Sequence, residues 1–412
     1  GGFMVEEILR KYGYNEDQIK RIVGFYPLNS MKKENLCNHI ERNFSLCKSL
    51  GYSDEQIIKM TVILPTIYSY SDVNIKTKFD ELKKIGYTSS QIVKMSSNFP
   101  SFYSLSIESI KQKIEDLKGI GYSQSQILKM TLKLPEIYSY SIENIKEKVS
   151  FLESVGFSNA EIIRMTSHLP SIYSRSVDVL SKKYDFLRYL GYSREQIKKI
   201  SVVLPALLSF SQENIENKLD DMMSFGYSYK QILKMTASFP TIYALSMDTI
   251  VQKIEFLVSL GYTRSDVLRM LELLPMMLGY STENVKKKID DLISLGFSYE
   301  EVIKMTRELP SLYSCSIDNL KEKIYYLRSV GLGEIATSNP KQLMQSVDLT
   351  YARYMYLTQD MGLDIDMGNS KLLFLEAKIF KRRFQITKKE LLEKYSYDED
   401  IRKKDSSLKK LK

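Results

Sequence analysis

A cation recurs every 35 residues along most of this 412-residue chain. The first row is Lys59, Lys94, Lys129, Arg164, Lys199, Lys234, Arg269 and Lys304, with Arg21 in an earlier, looser copy. A second row, Lys78, Lys113, Lys148, Lys183, Lys218, Lys253, Lys288 and Lys323, keeps the same beat. Two lines of evenly spaced positive charge can neutralise successive phosphates of a nucleic-acid backbone. The competing reading is a solvated face for the first row. For the second it is lysines that lay their stems over apolar surface or pair with neighbouring acids. A variable pair lies two and three residues before each repeat proline. Its polar members, Asn98, Lys133, His168, Ser238 and Arg307, carry donors and acceptors that could read base edges. Pairs such as Val202-Val203 are poor base readers, and drift at an exposed position explains the variability as well. The turn tyrosines Tyr68, Tyr103, Tyr138, Tyr173, Tyr243 and Tyr313 could stack on bases. Leu208 and Leu278 replace them in two copies, which favours packing.

Covalent chemistry finds little to work with. The two histidines, His39 and His168, lie far apart in a linear array, and Cys37, His39 and Cys47 match no zinc spacing. The repeated glycines sit where helix caps belong and form no phosphate loop. Three cysteines are too few for a disulfide framework, which suits a reducing compartment or an organelle interior. No apolar run reaches membrane-spanning length, and nothing from Gly1 onward reads as a signal peptide. The net charge is +9; residues from Gly362 onward hold 14 basic and 9 acidic side chains, leaving +4 for the rest. A local patch, not bulk charge, would have to attract nucleic acid.

The elements that position these rows follow from the repeat. Prolines fall at 65, 100, 135, 170, 205, 240, 275 and 310, and glycines at 51, 86, 121 and onward to 331 in the same step. A fixed period in this range predicts an α-solenoid of about ten helical repeats. In each, Gly closes the previous helix in a left-handed turn. A capping box such as Ser123/Gln126 opens helix A. Pro135 ends that helix, a short 3₁₀ turn follows, and Ser141 caps helix B. At about 100° per residue the first cation row lies about 130° from the apolar stripe of helix A, and the second about 60° from that of helix B. The expected organisation is an N-terminal cap over 1–12, a repeat array over 13–361 with regular copies from 51 to 330, and a helical C-terminal cap over 362–400. A disordered basic tail is expected over 401–412. The C-terminal cap contains an amphipathic stretch from Leu372 to Phe380 and the cluster Lys381, Arg382, Arg383.

The Leu/Phe-Pro-x-Ile/Leu-Tyr-Ser turn, the serine-capped helix B and the exit Leu152-Glu153-Ser154-Val155-Gly156 resemble the mTERF family of mitochondrial transcription termination factor-like proteins. The segment from Ile386 to Tyr395 is similar to the closing segment of many members. The opening Tyr122-Ser123-Gln124-Ser125-Gln126-Ile127-Leu128-Lys129-Met130 also resembles TALE-like arrays, which carry glycines where this chain has Leu-Pro. The mTERF resemblance implies a superhelix whose basic concave path binds duplex DNA or structured RNA. It also implies a role in organelle transcription, RNA processing or ribosome assembly. The expectation is therefore a non-enzymatic monomer in a mitochondrion or other organelle, with a bacterial cytoplasm left open. It would bind double-stranded DNA, with structured RNA or a protein partner as alternatives, and use no metal or cofactor.

Overall fold

A computed structural model describes residues 2–405. The fold is an all-α solenoid, and its described residues form no strand. They divide between Gln212 and Glu213 into two compact units. Each is a stack of repeats containing an α-helix A, a five-residue 3₁₀ turn and an α-helix B.

The repeat centred on Pro135 shows how sequence makes this unit. Ser123 accepts from the Gln126 amide, and the Gln126 side chain accepts from the Ser123 amide, so two otherwise orphaned donors are satisfied. Helix A spans Gln124–Lys133 and buries Ile127, Met130 and Thr131. Pro135 opens the 3₁₀ turn Pro135–Ser139, whose Ile137 and Tyr138 are buried. Ser141 then caps helix B, Ile142–Val155, which buries Ile145, Val149 and Leu152. The helix ends at Gly156, where φ is 113°, a conformation that a Cβ would strain. The same capping box recurs at Thr263/Asp266, where Asp takes the place of the usual Glu or Gln.

The ends depart from this plan by simple edits. The helix Gly2–Tyr12 covers the first repeat: Val5 and Leu9 are buried, and Tyr12 stacks on Phe44 with ring centroids 3.9 Å apart. Pro340, displaced in sequence, still opens a 3₁₀ turn, Pro340–Met344. The missing residues come out of helix A, which shrinks to Ile335–Ser338. Beyond it, the expected amphipathic stretch is broken at Leu375 into a 3₁₀ piece, Ser370–Phe374, and a helix, Ala377–Phe384. Arg353 holds this cap in place. It is buried, donates to the carbonyls of Leu373 (2.9 Å) and Leu375 (2.7 Å), and lies 4.4 Å from the Phe380 ring centroid. Its desolvation lowers its pKa to about 10. Order extends past Ile401, against expectation. Arg402 reaches back to Glu322 and pairs with Asp398 at 3.0 Å, which fixes the chain as far as Asp405. Residues 406–412 of the expected tail lie outside the described residues.

Candidate nucleic-acid interface

Helix A carries the first cation row on its outer face. Arg21, Lys59, Lys94, Lys129, Arg164 and Lys199 are exposed in the N-terminal unit, and Lys234, Arg269 and Lys304 in the C-terminal unit. Each regular helix A buries the residue two before its cation and the one after it, such as Ile127 and Met130 around Lys129, so the cation points outward. Several of these cations reach toward the end of the next helix A. Arg21 donates to the carbonyls of Val62 (2.5 Å) and Ile63 (3.4 Å), and Arg269 to Arg307 (2.9 Å). These carbonyls lie at the negative end of a helix dipole, where a cation is favourable. Lys59 instead donates to the Asn98 side chain at 2.9 Å.

The variable pair separates by burial. The residue two before the proline, such as Asn98, Lys133, His168 or Ser238, is exposed in every regular repeat but the last, where Glu308 is half-buried, and stands four residues after the row cation, on the same face. Its neighbour is half-buried or buried, as at Leu132 and Ala237. Arg307, in the inner position of its pair, is half-buried. Lys133 donates to the His168 carbonyl at 3.2 Å. Cations and variable residues thus form one continuous band across the A helices of each unit. Within the N-terminal unit, neighbouring A helices such as Gln124–Lys133 and Asn159–His168 touch more extensively than B helices such as Ile142–Val155 and Val177–Leu190.

The second row is placed differently. Its lysines are half-buried or buried, and their ammonium groups point into the seam between repeats. Lys78 donates to the Tyr103 carbonyl, Lys113 to Tyr140, Lys183 to Phe210, Lys218 to Leu245, Lys253 to Tyr280 and Lys288 to Cys315. Lys323 donates to Leu343 at 2.9 Å. Most of these acceptors end the 3₁₀ turn of the next repeat, where no backbone donor remains for them. Lys148 is the exception and turns back to the Asn144 side chain on its own helix. Burial lowers the pKa of Lys78, Lys113, Lys183, Lys218, Lys253, Lys288 and Lys323. For the other seven lysines the partner is a backbone carbonyl and not an acid, and sequence alone gives no sign of it.

The turn tyrosines are buried, with Tyr68, Tyr103 and Tyr173 at or below 2% exposure, so none offers a face to a base. Their hydroxyls complete a connection that the sequence reading missed. Tyr122 shares hydrogen bonds of 2.5 Å with both Thr166 and Tyr173 of the next repeat. Thr166 donates its proton to the Ile162 carbonyl at 2.7 Å. Each hydroxyl has one proton, so the chain runs Tyr173 to Tyr122 to Thr166 to carbonyl. The arrangement recurs at Tyr14/Thr61/Tyr68, Tyr52/Ser96/Tyr103, Tyr87/Thr131/Tyr138 and Tyr262/Thr306/Tyr313. Desolvation raises the phenol pKa throughout, to about 12 at Tyr14. The signal that could have found it was covariation: where Phe157 loses the central hydroxyl, Leu208 also loses the outer one. At Tyr227, whose partners are Leu271 and Leu278, the hydroxyl turns to the Leu268 carbonyl at 2.6 Å.

The mTERF family model matches residues 7–260 and 248–381. The chain belongs to the mTERF family. This is a family of helical-repeat proteins that bind nucleic acid, which fits a cationic band on a stacked scaffold. No curated protein matches the chain. Lys381, Arg382 and Arg383, on the helix Ala377–Phe384 of the mTERF chain's C-terminal cap, are all exposed. Among the described residues no helix is long and apolar enough to cross a membrane, and no cluster of His, Cys, Asp or Glu could hold a metal ion.

Proposed function

We propose that this mTERF protein binds double-stranded DNA through the exposed face of its A helices and regulates transcription, including its termination, in an organelle. The observation that carries this reading is the division of labour between the two cation rows. The helix-B lysines are consumed by the seams, whereas the helix-A cations face solvent. Phosphates would be met by Lys59, Lys94, Lys129, Arg164, Lys199, Lys234, Arg269 and Lys304, with Arg21, Lys381, Arg382 and Arg383 extending the path. Such binding acts by occupying a site, so that machinery is blocked or recruited without covalent chemistry. The exposed partner of each cation, Asn98, Lys133, His168 or Ser238, is placed to touch bases that the cations bring close; Arg307 is only half-exposed. Fluorescence anisotropy against random duplex DNA, duplex RNA and single strands, titrated with salt, tests the reading. Micromolar or tighter binding to duplex DNA that weakens steeply with salt supports it. Preference for structured RNA would move the role to RNA processing or ribosome assembly. Absence of binding at low salt would favour a protein-binding scaffold.

A further inference from the structure

The helix-A band is not uniform in charge, and its uneven part coincides with an open cleft. Helices Ser89–Asn98 and Gln124–Lys133, and Tyr229–Ser238 in the C-terminal unit, contain no acidic residue. In Asn159–His168 the one acid, Glu161, is occupied by its capping box and accepts from the Ser158 amide at 2.8 Å. Farther along, Arg264–Leu273 carries Asp266 and Glu272, and Tyr299–Glu308 carries Glu300, Glu301 and Glu308. There Arg269 already lies 3.9 Å from Asp266 and donates to Arg307. Lys129 and Arg164 are exposed and, like Lys94, Lys199, Lys234 and Lys304, make no ion pair or hydrogen bond among the described residues. They line a cleft of about 540 Å³ between the A helices of two successive repeats, with Gln126, Asn159 and His168 in its walls. Short side chains open it: Asn159 and Ala160 stand where later repeats carry Arg194-Glu195 and Tyr299-Glu300.

We infer that this cleft is the anchoring site of the array, a pocket for a backbone phosphate that Lys129 and Arg164 clasp together. Arg164 offers planar paired donors and Lys129 a mobile point charge, a combination suited to a phosphate oxygen cluster. Lys129 has no acid on its own helix; Glu161, held below its ordinary pKa chiefly by the Ser158 amide, also feels Arg164 three residues on, so the attraction of Lys129 is the more freely available. Arg269 and Lys304, on helices that carry two and three acids, would extend the footprint without setting its affinity. The inference rests on the proposed helix-A interface and adds where along it binding energy is concentrated.

The test compares two equal deletions of charge, Lys129→Ala/Arg164→Ala and Arg269→Ala/Lys304→Ala, on the full chain. Affinity for a labelled random-sequence duplex DNA is measured across a salt series, with circular dichroism to verify that both variants keep their helices. The cleft pair is expected to weaken binding at least about tenfold and to flatten the salt slope by about two. The other pair should weaken it by less than about threefold. Equal losses would overturn the anchoring site and leave the interface standing. No loss from either pair, while the unaltered protein binds, would overturn the interface as well, as would no binding by the unaltered protein.

Discussion

The proton order in the hydroxyl chains makes Tyr122 and Tyr173 unequal, although each loses one oxygen when changed to Phe. In Tyr122→Phe the Tyr173 proton loses its acceptor inside a seam where Tyr173 is 1% exposed. An orphaned buried donor costs about 1–3 kcal/mol, and the bond from Tyr122 to Thr166 adds about 1, so about 2–4 kcal/mol is expected. In Tyr173→Phe every remaining proton keeps its acceptor, because Tyr122 still donates to Thr166 and Thr166 to the Ile162 carbonyl. The loss is one accepted bond, about 0.5–1 kcal/mol. The double variant removes the orphan along with its cause. It should cost no more than Tyr122→Phe alone, a coupling of about 1 kcal/mol. The chain has made the equivalent change at Phe157 and Leu208, where Ser201 still donates to the Ile197 carbonyl at 2.7 Å. Long repeat arrays unfold piecewise, so the measurement is native-state hydrogen exchange of the amides in Gln124–Lys133 and Asn159–His168. Equal costs for the two single variants, or simple addition in the double, would refute the proton order.

Three further outcomes follow from the same seams. Lys113→Ala removes the donor to the Tyr140 carbonyl and should lower local stability by about 1 kcal/mol while leaving duplex affinity unchanged; thermal melting and anisotropy on one preparation check it. The raised phenol pKa values have a definite sign. Buried tyrosines whose folded pKa exceeds the unfolded value of 10 contribute stability that is intact below pH 10 and lost as pH rises through the folded values, from about 12 at Tyr14 upward. Beyond the ionisation of the solvent-exposed phenols, tyrosinate absorbance should therefore show a late step that coincides with loss of helical circular dichroism; completion of the whole absorbance change with helices intact would contradict it. Arg402→Ala leaves the Glu322 carboxylate, 9% exposed, without its partner and should destabilise the C-terminal unit by about 3 kcal/mol, read as earlier exchange of the amides in Ile317–Ser329.

Local rules made most of the scaffold legible. Gly51 through Gly331, the Ser or Thr caps and the prolines each act within a few residues, so their helices could be placed from sequence. The solvent position of Lys129 and the half-buried position of Lys113 followed from helical angle alone. What each cation touches did not follow, because the partner of Lys113 is a carbonyl 27 residues away and every residue type has a carbonyl. The hydroxyl chains span 44 and 51 residues, one repeat plus an offset, so neither end is informative until the stacking is known. Pro340 looked displaced because a deletion inside helix A preserves the geometry while breaking the count. The composition after Ile401 suggested disorder, yet Arg402 finds Glu322 80 residues earlier, a pairing that charge pattern could not reveal.

The central claim is that the helix-A cations, and not the equally regular helix-B lysines, meet nucleic acid. Its most direct test is the salt dependence of duplex DNA binding for two variants. One replaces Lys94, Lys129, Arg164 and Lys199 by Gln; the other replaces Lys78, Lys113, Lys183 and Lys218 by Met. The account predicts that the first loses most of its affinity and about four units of salt slope, less whatever contacts remain unformed. The second, wherever it stays folded, keeps both. Retention of slope in the helix-A variant, with loss in a folded helix-B variant, would contradict it.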